Sequence, residues 1–449
     1  MSLSKDVFEA YRNHVLLHPE ENRAGALAMK AVVEASPLNY QGVLDKTVHI
    51  PKVFDEETIE HFKQIVKMSC GIFGKVIQGY RREEAVRRLF PFSGKLEELI
   101  LLPAPYEGVL PIARLDLFYN EDTGDFKFCE INTDGTAAMI RDLELRKALV
   151  HNPAHQAVAG TYDLEPFELF DSWVKTFLEL YGTCKKRVEN PHVAIADYLE
   201  NATYREFEIF AEAFRRAGVS CEICDIRSLK YKDGSLLTKA GKRIDAIYRR
   251  AVTADVMTHY EESSAFLRAV SEDAVFLAGA FETQVIHTKW LFYVLHHPVM
   301  RKLLTQEERD FVDAHVPKTL EFSPEYISLE EVQEHKDNYM LKPMDAYASK
   351  GIYAAGREYD QQIWKELCAD LYGKGMVCQE YCTQYMTPNI DYAWGDGEWH
   401  PYINMPGLYS YNGQFAGILM RMACEEKIIV AHENERTAPV FVVKGVQLP

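Results

Sequence analysis

The sequence has no run of about 20 apolar residues, so it predicts no membrane-spanning helix. Residues 1–22 lack the apolar core of a signal peptide. Cysteine is scarce, odd in number (nine) and scattered, which favours reduced thiols over a disulfide framework. The single CxxC, Cys221 and Cys224, lies in a segment that alternates like a strand, which favours structural cysteines over zinc. These absences predict a cytoplasmic protein with no membrane partner.

Basic residues are outnumbered: the sequence has 50 Lys and Arg and 67 Asp and Glu, which gives a formal net charge of -17. This field disfavours binding to nucleic acid, and it is compatible either with a simple solubility charge or with a cationic substrate such as a polyamine. The 449 residues suffice for two to four domains, and a hydrophobic content of 47% allows a large core. The sequence leaves the oligomeric state open.

Two phosphate-binding signatures are missing. Residues 191–250 read as strand, amphipathic helix, strand and strand, the pattern of a parallel, Rossmann-like sheet. No GxGxxG follows the first strand, which argues against a dinucleotide site, and no Walker A sequence occurs anywhere. Residues 1–110 read mainly as helices, with Asp55 as a candidate cap for one of them, and residues 270–449 mix short strands with helices.

The most informative segment is an acidic hairpin. PIARLDLFYN and DFKFCEINT alternate like strands around the turn-rich EDTG. A turn centred near Thr123 pairs Asp116 with Glu130 and Arg114 with Asn132, all on one face. The opposite face then carries Leu115, Leu117, Cys129 and Ile131, which suit a core.

Facing carboxylates repel each other, so the Asp116–Glu130 pair needs a counter-charge. Magnesium ions supply one and prefer hard oxygen ligands such as Asp, Glu and the carbonyl of Asn132. The alternative is a solvent-facing polar strip that Arg114 stabilises. The hairpin alone leaves both interpretations open.

Further candidates lie towards the C-terminus. Lys342 ends the strand-like NYMLKP, and the loop after it offers the hydroxyl of Ser349, the cation of Lys350 and the unhindered backbone of Gly351 to phosphates. The alternative is that this segment is an ordinary hairpin that binds no phosphate.

Three more positions complete the nucleotide half. Gln379, Glu380 and Tyr381 end a strand where adenine could dock on backbone groups, with a plain buried strand as the alternative. Lys289 opens a predicted helix, where it meets a phosphate or is simply solvated. Arg421 lies mid-strand among apolar residues and needs a partner, either a phosphoryl group or a structural carboxylate.

Together these segments resemble the circularly permuted ATP-grasp proteins, specifically glutathionylspermidine synthetase and its relatives. The resemblance rests, over about residues 110–425, on RLDLFYN…FCEINTDG, IDAIYRR, HTKW, MLKPMDAYASKGIY, VCQEY and ILMR, in the family's order. Glu130 and Asn132 precede the nucleotide-binding lobe here, whereas ordinary ATP-grasp enzymes have the reverse order.

The resemblance implies an α/β (α+β) chain with four parts. These are a mainly helical N-terminal region (1–110), a permuted ATP-grasp segment with the metal-binding hairpin (111–185), a Rossmann-like pre-ATP-grasp unit (186–258) and the nucleotide-binding lobes (259–449).

It also implies ATP with magnesium ions held by Asp116, Glu130 and Asn132. Lys289 and Lys342 would contact the nucleotide, and the loop around Ser349 to Gly351 would cover its phosphates. Arg114 and Arg421 would stabilise the transferring phosphoryl group. The chain lacks room for the amidase domain of bifunctional members, which implies synthetic activity only.

The expected activity is an ATP-dependent, ADP-forming ligase that joins a small or peptide-like carboxylate to an amine, with a polyamine among the candidate amines. The alternatives are a non-catalytic nucleotide-binding sensor or assembly protein, and a phosphotransferase that stops at a stable phosphorylated product. The sequence does not identify the acid, the amine or the pathway.

Overall fold

The computed structural model describes residues 2–40, 43–92, 94–344, 354–425, 428–431 and 433–447. In chain order, its strands are β1 Asn39–Tyr40, β2 Val43–Leu44, β3 Lys52–Asp55, β4 Ile112–Tyr119, β5 Phe126–Asn132, β6 Tyr162–Pro166, β7 His192–Asp197, β8 Ser220–Asp225, β9 Lys230–Lys232, β10 Ser235–Leu237, β11 Arg243–Ile244, β12 Ala246–Arg249, β13 Phe276–Ala278, β14 Thr319–Glu321, β15 Tyr339–Pro343, β16 Ala354–Ala355, β17 Met376–Glu380, β18 Met386–Ile390, β19 Trp399–Tyr411, β20 Gln414–Cys424, β21 Arg436–Ala438 and β22 Val440–Val446. Its helices are α1 Leu3–Leu17, α2 Pro19–Glu34, α3 Glu56–Arg82, α4 Glu84–Arg87, α5 Gly94–Ile100, α6 Met139–Ala148, α7 Pro153–Ala159, α8 Asp171–Thr183, α9 Tyr204–Arg216, α10 Thr253–Thr258, α11 Ser264–Ser271, α12 Gln284–His287, α13 Leu291–His296, α14 Pro298–Arg301, α15 Gln306–His315, α16 Leu329–Glu334 and α17 Gln361–Leu371.

Helices dominate the described residues before β4. The long helix α3 begins where Asp55 accepts a hydrogen bond from the N–H of Thr58 (3.0 Å), which confirms the predicted cap. Acidic residues in its first turn and arginines in its last complement the helix dipole. Its apolar face packs against β20, so α3 forms one wall of the core beneath the large sheet.

A four-stranded parallel sheet, in the order β13-β12-β7-β8, confirms the predicted Rossmann-like pattern. Helix α9 joins β7 to β8 and buries its apolar face, because its apolar residues recur at helical spacing. Cys221 and Cys224 on β8 belong to the two separate hydrophobic cores, and burial raises the pKa of each thiol to about 12. Neutral thiols three residues apart on a strand are structural, as predicted.

The largest sheet is antiparallel, in the order β21-β20-β19-β4-β5, with β18 added beside β19. Its central strand β19 was not predicted, because Pro401, Pro406 and Gly407 lower the strand propensity of the segment. Burial on both faces from Tyr402 onward supplies the stabilisation that local propensity does not. The acidic hairpin β4–β5 forms one edge of this sheet.

A smaller antiparallel sheet, β14-β17-β15-β16, confirms the strands predicted at NYMLKP and MVCQEY. Helices α16 and α17 cover it with a separate small core around Trp364, whose indole N–H donates to the carbonyl of Val332 (2.9 Å). Lys342 near the end of β15 donates to the carbonyl of Cys129 in β5, so this sheet lies beside the edge of the large one.

None of the helices in the described part of the chain combines the length and apolar character that crossing a bilayer requires.

Candidate functional site

The acidic hairpin has the predicted register. Arg114 faces Asn132, and Asp116 faces Glu130 across the two antiparallel strands. The connecting turn places Gly124 at φ +78°, a conformation that glycine adopts without strain. Alternating side chains therefore bring these four polar residues to one face of the sheet.

One residue of the hairpin departs from the prediction. A bulge follows Asp116, so that Glu130 pairs with Asp116 while Phe128 pairs with Leu117, and Cys129 is the extra residue. Leu115, Leu117 and Ile131 are buried as predicted, but Cys129 lines a cavity beside Glu130. The bulge cannot be read from an alternating sequence pattern.

Asp116 is fully buried, and arginines supply its counter-charge. The Arg114 guanidinium donates from Nε to Oδ1 (2.8 Å) and from Nη2 to Oδ2 (3.1 Å). Arg421, from β20, also donates to Oδ2. The sequence left two partners open for Arg421, a phosphoryl group or a structural carboxylate. In the described structure Arg421 bonds to a carboxylate, that of Asp116. Burial alone would lower the pKa of the Arg114 guanidinium, but the negative charge of Asp116 outweighs this effect. The pKa of Arg114 is therefore raised above its ordinary value.

Glu130, in contrast, faces the cavity. Its Oε2 lies 3.9 Å from Nζ of Lys289, and its Oε1 lies 3.8 Å from Arg421. Burial alone would raise the pKa of Glu130, but Lys289, Arg421 and other nearby cations hold it well below its ordinary value. Glu130 is therefore a carboxylate at neutral pH. Asn132 donates from Nδ2 to Asp116 (3.0 Å) and lies 3.4 Å from Glu130.

Two lysines approach the hairpin from other segments. Lys342 at the end of β15 is buried, and its Nζ donates to Oε1 of Gln379 (2.7 Å) and to the carbonyl of Cys129 (3.4 Å). Gln379 in turn donates to the hydroxyl of Thr319 (2.9 Å), which fixes its orientation. Lys289 was expected to open a helix but lies in the turn between α12 and α13.

These groups surround a cavity of about 530 Å³, a size typical of small-molecule sites. The predicted site residues among its lining are Arg114, Glu130, Asn132, Lys289, Lys342, Gln379, Glu380, Tyr381 and Arg421. Asp116 lies behind this lining and is not part of it. The predicted phosphate-loop residues Ser349, Lys350 and Gly351 fall outside the described residues.

The predicted adenine-docking segment already uses two of its amides. The N–H of Glu380 donates to the carbonyl of Lys318 (2.8 Å), and the N–H of Tyr381 donates to that of Asn338 (2.8 Å). The apolar part of the cavity is formed instead by side chains from four strands and from the segment before β21: Phe118, Met340, Met405, Leu419, Ile428, Ile429 and Val430.

Sequence reasoning missed other residues of this site. Arg141 of α6 lines the cavity and pairs with Glu435 (2.6 Å) and Asp45 (3.2 Å). Gly407 faces Asp116 across β19 and β4, and a Cβ there would lie 2.8 Å from Cδ of Arg114. Neither residue carries a local motif, since both acquire their place from strands and helices distant in sequence.

The solved structures include a likeness that covers nearly the whole chain. It is a glutathione synthetase-like effector, GSS30, from Globodera pallida in its apo form, with a TM-score of 0.62. The alignment covers 93% of this chain and 96% of that chain at 12% sequence identity. The chain has a glutathione synthetase-like, mixed α/β fold. No family model and no curated protein matches the sequence.

The donor set fits a divalent cation only in part. Glu130 and Asn132 line the cavity and offer oxygen atoms. Both oxygens of Asp116 accept hydrogen bonds from Arg114, and Oδ2 also accepts from Arg421 and Asn132, so Asp116 is not available as a ligand in this arrangement. Within the described residues, no group of three or more His, Cys, Asp and Glu side chains is close enough to hold a metal.

Proposed function

We propose that this chain is an ATP-dependent, ADP-forming ligase that joins a carboxylate to an amine through an acyl phosphate. One observation carries the proposal: a single cavity collects the carboxylate of Glu130 and the amide of Asn132 with one cation from the same hairpin and three from distant segments. The cations are Arg114, Lys289, Lys342 and Arg421. The glutathione synthetase-like fold supports the same class of reaction.

The first step needs positioning and charge neutralisation more than covalent help from the protein. A carboxylate oxygen attacks the γ-phosphorus of ATP, a new P–O bond forms, and the bond to the β-phosphate oxygen breaks to release ADP. In this proposal Lys342 and Lys289 hold the phosphates, and Arg114 and Arg421 stabilise the transferring phosphoryl group. Magnesium, which Glu130 and Asn132 would hold, neutralises charge on the phosphate oxygens when it is bound.

In the second step, the nitrogen of a neutral amine attacks the carbonyl carbon of the acyl phosphate. The C–O bond to phosphate breaks, inorganic phosphate leaves, and the nitrogen loses a proton as the amide forms. Exclusion of water from the cavity favours amide formation over hydrolysis of the acyl phosphate.

The proposal includes the circularly permuted arrangement, because Glu130 and Asn132 precede Lys342 in the chain. It also keeps the division at residues 110, 185 and 258 and a cytoplasmic location. An acid and an amine like those of glutathionylspermidine synthetase, glutathione and a polyamine, are the first substrates to test.

A second candidate function is nucleotide binding without catalysis. The arginine-bound, fully buried Asp116 favours it, since that carboxylate is not presented to a metal in the described arrangement. The likeness to a protein named as an effector is compatible with the same reading. A phosphotransferase that stops at the acyl phosphate would form ADP without an amine.

ADP release over a panel of acids and amines, followed by mass spectrometry of the product, separates these functions. We expect ADP release that requires both an acid and an amine, and an amide product. Lys289→Met should abolish it. Lys52→Met is the matched control, because the side chains of Lys52 and Lys289 are equally exposed (12%) and Lys52 pairs with Glu121 outside the cavity. ATP binding without release in every mixture would favour the non-catalytic function.

A further inference from the structure

A chain of hydrogen bonds runs through the smaller antiparallel sheet to Lys342. The hydroxyl of Thr319 on β14 donates to the carbonyl of Pro317 (3.1 Å) and accepts from Nε2 of Gln379 on β17 (2.9 Å). Oε1 of Gln379 in turn accepts from Nζ of Lys342 on β15 (2.7 Å). The three side chains of Thr319, Gln379 and Lys342 are here termed the relay.

The strands bring the relay to one face of the sheet. Thr319 pairs directly with Gln379 across β14 and β17, and Lys342 lies at the diagonal position across β15 and β17. Directly opposite and diagonal neighbours on one face are close enough for their side chains to interact. The opposite face, which carries Leu341 and Cys378, packs into the small core beneath α16 and α17.

The two ends of the relay set the direction of every hydrogen bond in it. The carbonyl of Pro317 only accepts, so it takes the hydroxyl hydrogen of Thr319 and leaves the Thr319 oxygen as an acceptor. The ammonium of Lys342 only donates, so it requires the oxygen of the Gln379 amide. Both ends therefore select the same amide orientation, with the NH2 group toward Thr319 and the oxygen toward Lys342.

Thr319 lies behind the cavity of the candidate site. Lys342 and Gln379 line that cavity, whereas Thr319 is not among its lining residues. All three residues are at most 3% exposed, so water does not replace the hydrogen bonds of the relay. Thr319 thus has no direct contact to offer a ligand, and it acts on one only through Gln379 and Lys342.

Gln379 is the stronger of the two hydrogen-bond acceptors that Lys342 has among the described residues. The other acceptor is the carbonyl of Cys129, the extra residue of the hairpin bulge, at 3.4 Å. A hydrogen bond of that length is weaker than one of 2.7 Å. An ammonium has three N–H donors, so the relay and the bulge leave one of them for an oxygen atom of a ligand in the cavity.

We propose that Thr319 is a positioning residue for the nucleotide, because it fixes the amide of Gln379 and thereby holds the ammonium of Lys342 at the cavity. The inference rests on the proposed function, in which Lys342 holds phosphates of ATP. Without the Thr319 hydroxyl, the buried NH2 group of Gln379 loses its acceptor and the amide is free to rotate. Rotation turns the NH2 group toward the ammonium, which then loses its stronger acceptor and its position.

The test is the Kd for ATP, measured by calorimetry on the full chain. Thr319→Val keeps the shape of the side chain without its hydroxyl, and we expect the Kd to rise about fivefold. Thr319→Ser retains the hydroxyl and should bring the Kd back to within about twofold of the unmodified chain. Thr238→Val is the matched control, because Thr238 is similarly buried and its hydroxyl accepts from the N–H of Lys242 (3.3 Å) away from the cavity.

A double-mutant cycle separates positioning from general damage to the sheet. In a Lys342→Met chain, Thr319→Val should raise the Kd by less than about twofold further, because the lysine through which it acts is gone. Equal increases in the two backgrounds would overturn the proposal. A Thr319→Ser variant that binds ATP no better than Thr319→Val would overturn it as well.

A measurement without nucleotide keeps this inference apart from the ligase proposal. In a chain labelled with ¹³C-lysine, the Cε resonance of Lys342 is identified by its loss in Lys342→Met. We expect Thr319→Val to shift this resonance and Thr319→Ser to leave it in place, while the other lysine resonances stay unchanged. Gln379→Met breaks the relay at its centre and should shift the same resonance, which provides a second variant if Thr319→Val does not fold.

The outcomes of this measurement are distinct. Shifts of this kind in a chain that binds no ATP would support the positioning of Lys342 and count against the nucleotide function alone. A Lys342 resonance indifferent to both Thr319→Val and Gln379→Met would overturn the positioning role, whether or not the chain releases ADP.

Discussion

Two clusters of buried arginines show how similar ion pairs serve different ends. At the end of β12, Arg249 pairs with Asp134 and Arg250 with Glu206, one cation to one anion, and all four side chains are at most 3% exposed. This cluster, here termed the closed cluster, is electrically balanced. Its carboxylates also accept backbone N–H groups, from Thr253 and Ile140.

The cluster at the hairpin is unbalanced. Among its six side chains, the carboxylates of Asp116 and Glu130 lie beside the four cations of Arg114, Arg421, Lys289 and Lys342. Over the whole described lining of the cavity, five Lys and Arg side chains are matched by five Asp and Glu side chains. The hairpin cluster opens onto this cavity with several side chains, whereas only Asp134 of the closed cluster reaches the cavity lining. The guanidinium of Arg250 packs instead on aromatic rings such as Phe207, 4.9 Å away. Several cations that converge beside a cavity are suited to a phosphorylated ligand, and a balanced pair in a packed core is suited to holding strands and helices together.

The largest effect on stability should come from the closed cluster. Glu206→Ala leaves Arg250 without its carboxylate (2.8 Å) and the N–H of Ile140 without its acceptor (3.0 Å). We expect the free energy of unfolding to fall by about 3–5 kcal/mol, measured by urea denaturation. Glu212→Ala, an exposed position on the same helix, should change it by less than about 0.5 kcal/mol. Equal losses in the two variants would show that the closed cluster is not structural.

The hairpin cluster should give the opposite result. Glu130→Gln removes the charge that faces the cavity, so ADP release should fall by about a hundredfold or more (~2.7 kcal/mol), while stability changes little. Glu121→Gln is the control in the same hairpin, since Glu121 is also partly buried but pairs with Lys52. Unchanged ADP release together with a large loss of stability would place Glu130 in the same class as Glu206.

The features of the fold and site that the sequence predicts are those that depend on short segments of the chain. The hairpin, its register and the pairing of Asp116 with Glu130 follow from strand alternation around a turn, which are local features. The parallel sheet follows from the spacing of strand, helix and strand. Both patterns lie within short segments, so no tertiary information is needed.

The remainder depends on contacts between distant segments. Arg421 binds Asp116 from 305 residues away, so the choice between a phosphoryl group and a carboxylate as its partner was open in the sequence. Strand β19 is stabilised by its neighbours despite two prolines. The bulge at Cys129 and the place of Arg141 in the cavity likewise have no sequence signal.

Gly407 offers a way to disturb the hairpin cluster without touching its charges. A Cβ at this position would meet Asp116 and lie 2.8 Å from Cδ of Arg114, so the ion pair must shift. Gly407→Ala should lower the free energy of unfolding by about 2 kcal/mol and reduce ADP release as well. Gly445→Ala in β22, where a Cβ meets nothing within 4 Å, is the control. A stable and fully active Gly407→Ala variant would mean that the Arg114–Asp116 pair tolerates displacement and is not needed in its present position.

The smallest effect should come from Lys342, because it contributes one charge to a site with several. Lys342→Met removes the ammonium that bonds Gln379 and faces the cavity, and we expect the Kd for ATP to rise about tenfold (~1.4 kcal/mol) by calorimetry. The control is Lys30→Met, a lysine that donates to the carbonyl of Ala393 outside the cavity and should leave the Kd unchanged. An unchanged Kd for Lys342→Met would mean that the cations of the hairpin cluster do not meet the nucleotide, and the difference from the closed cluster would then need another cause, such as an anionic acid substrate held by the same cations.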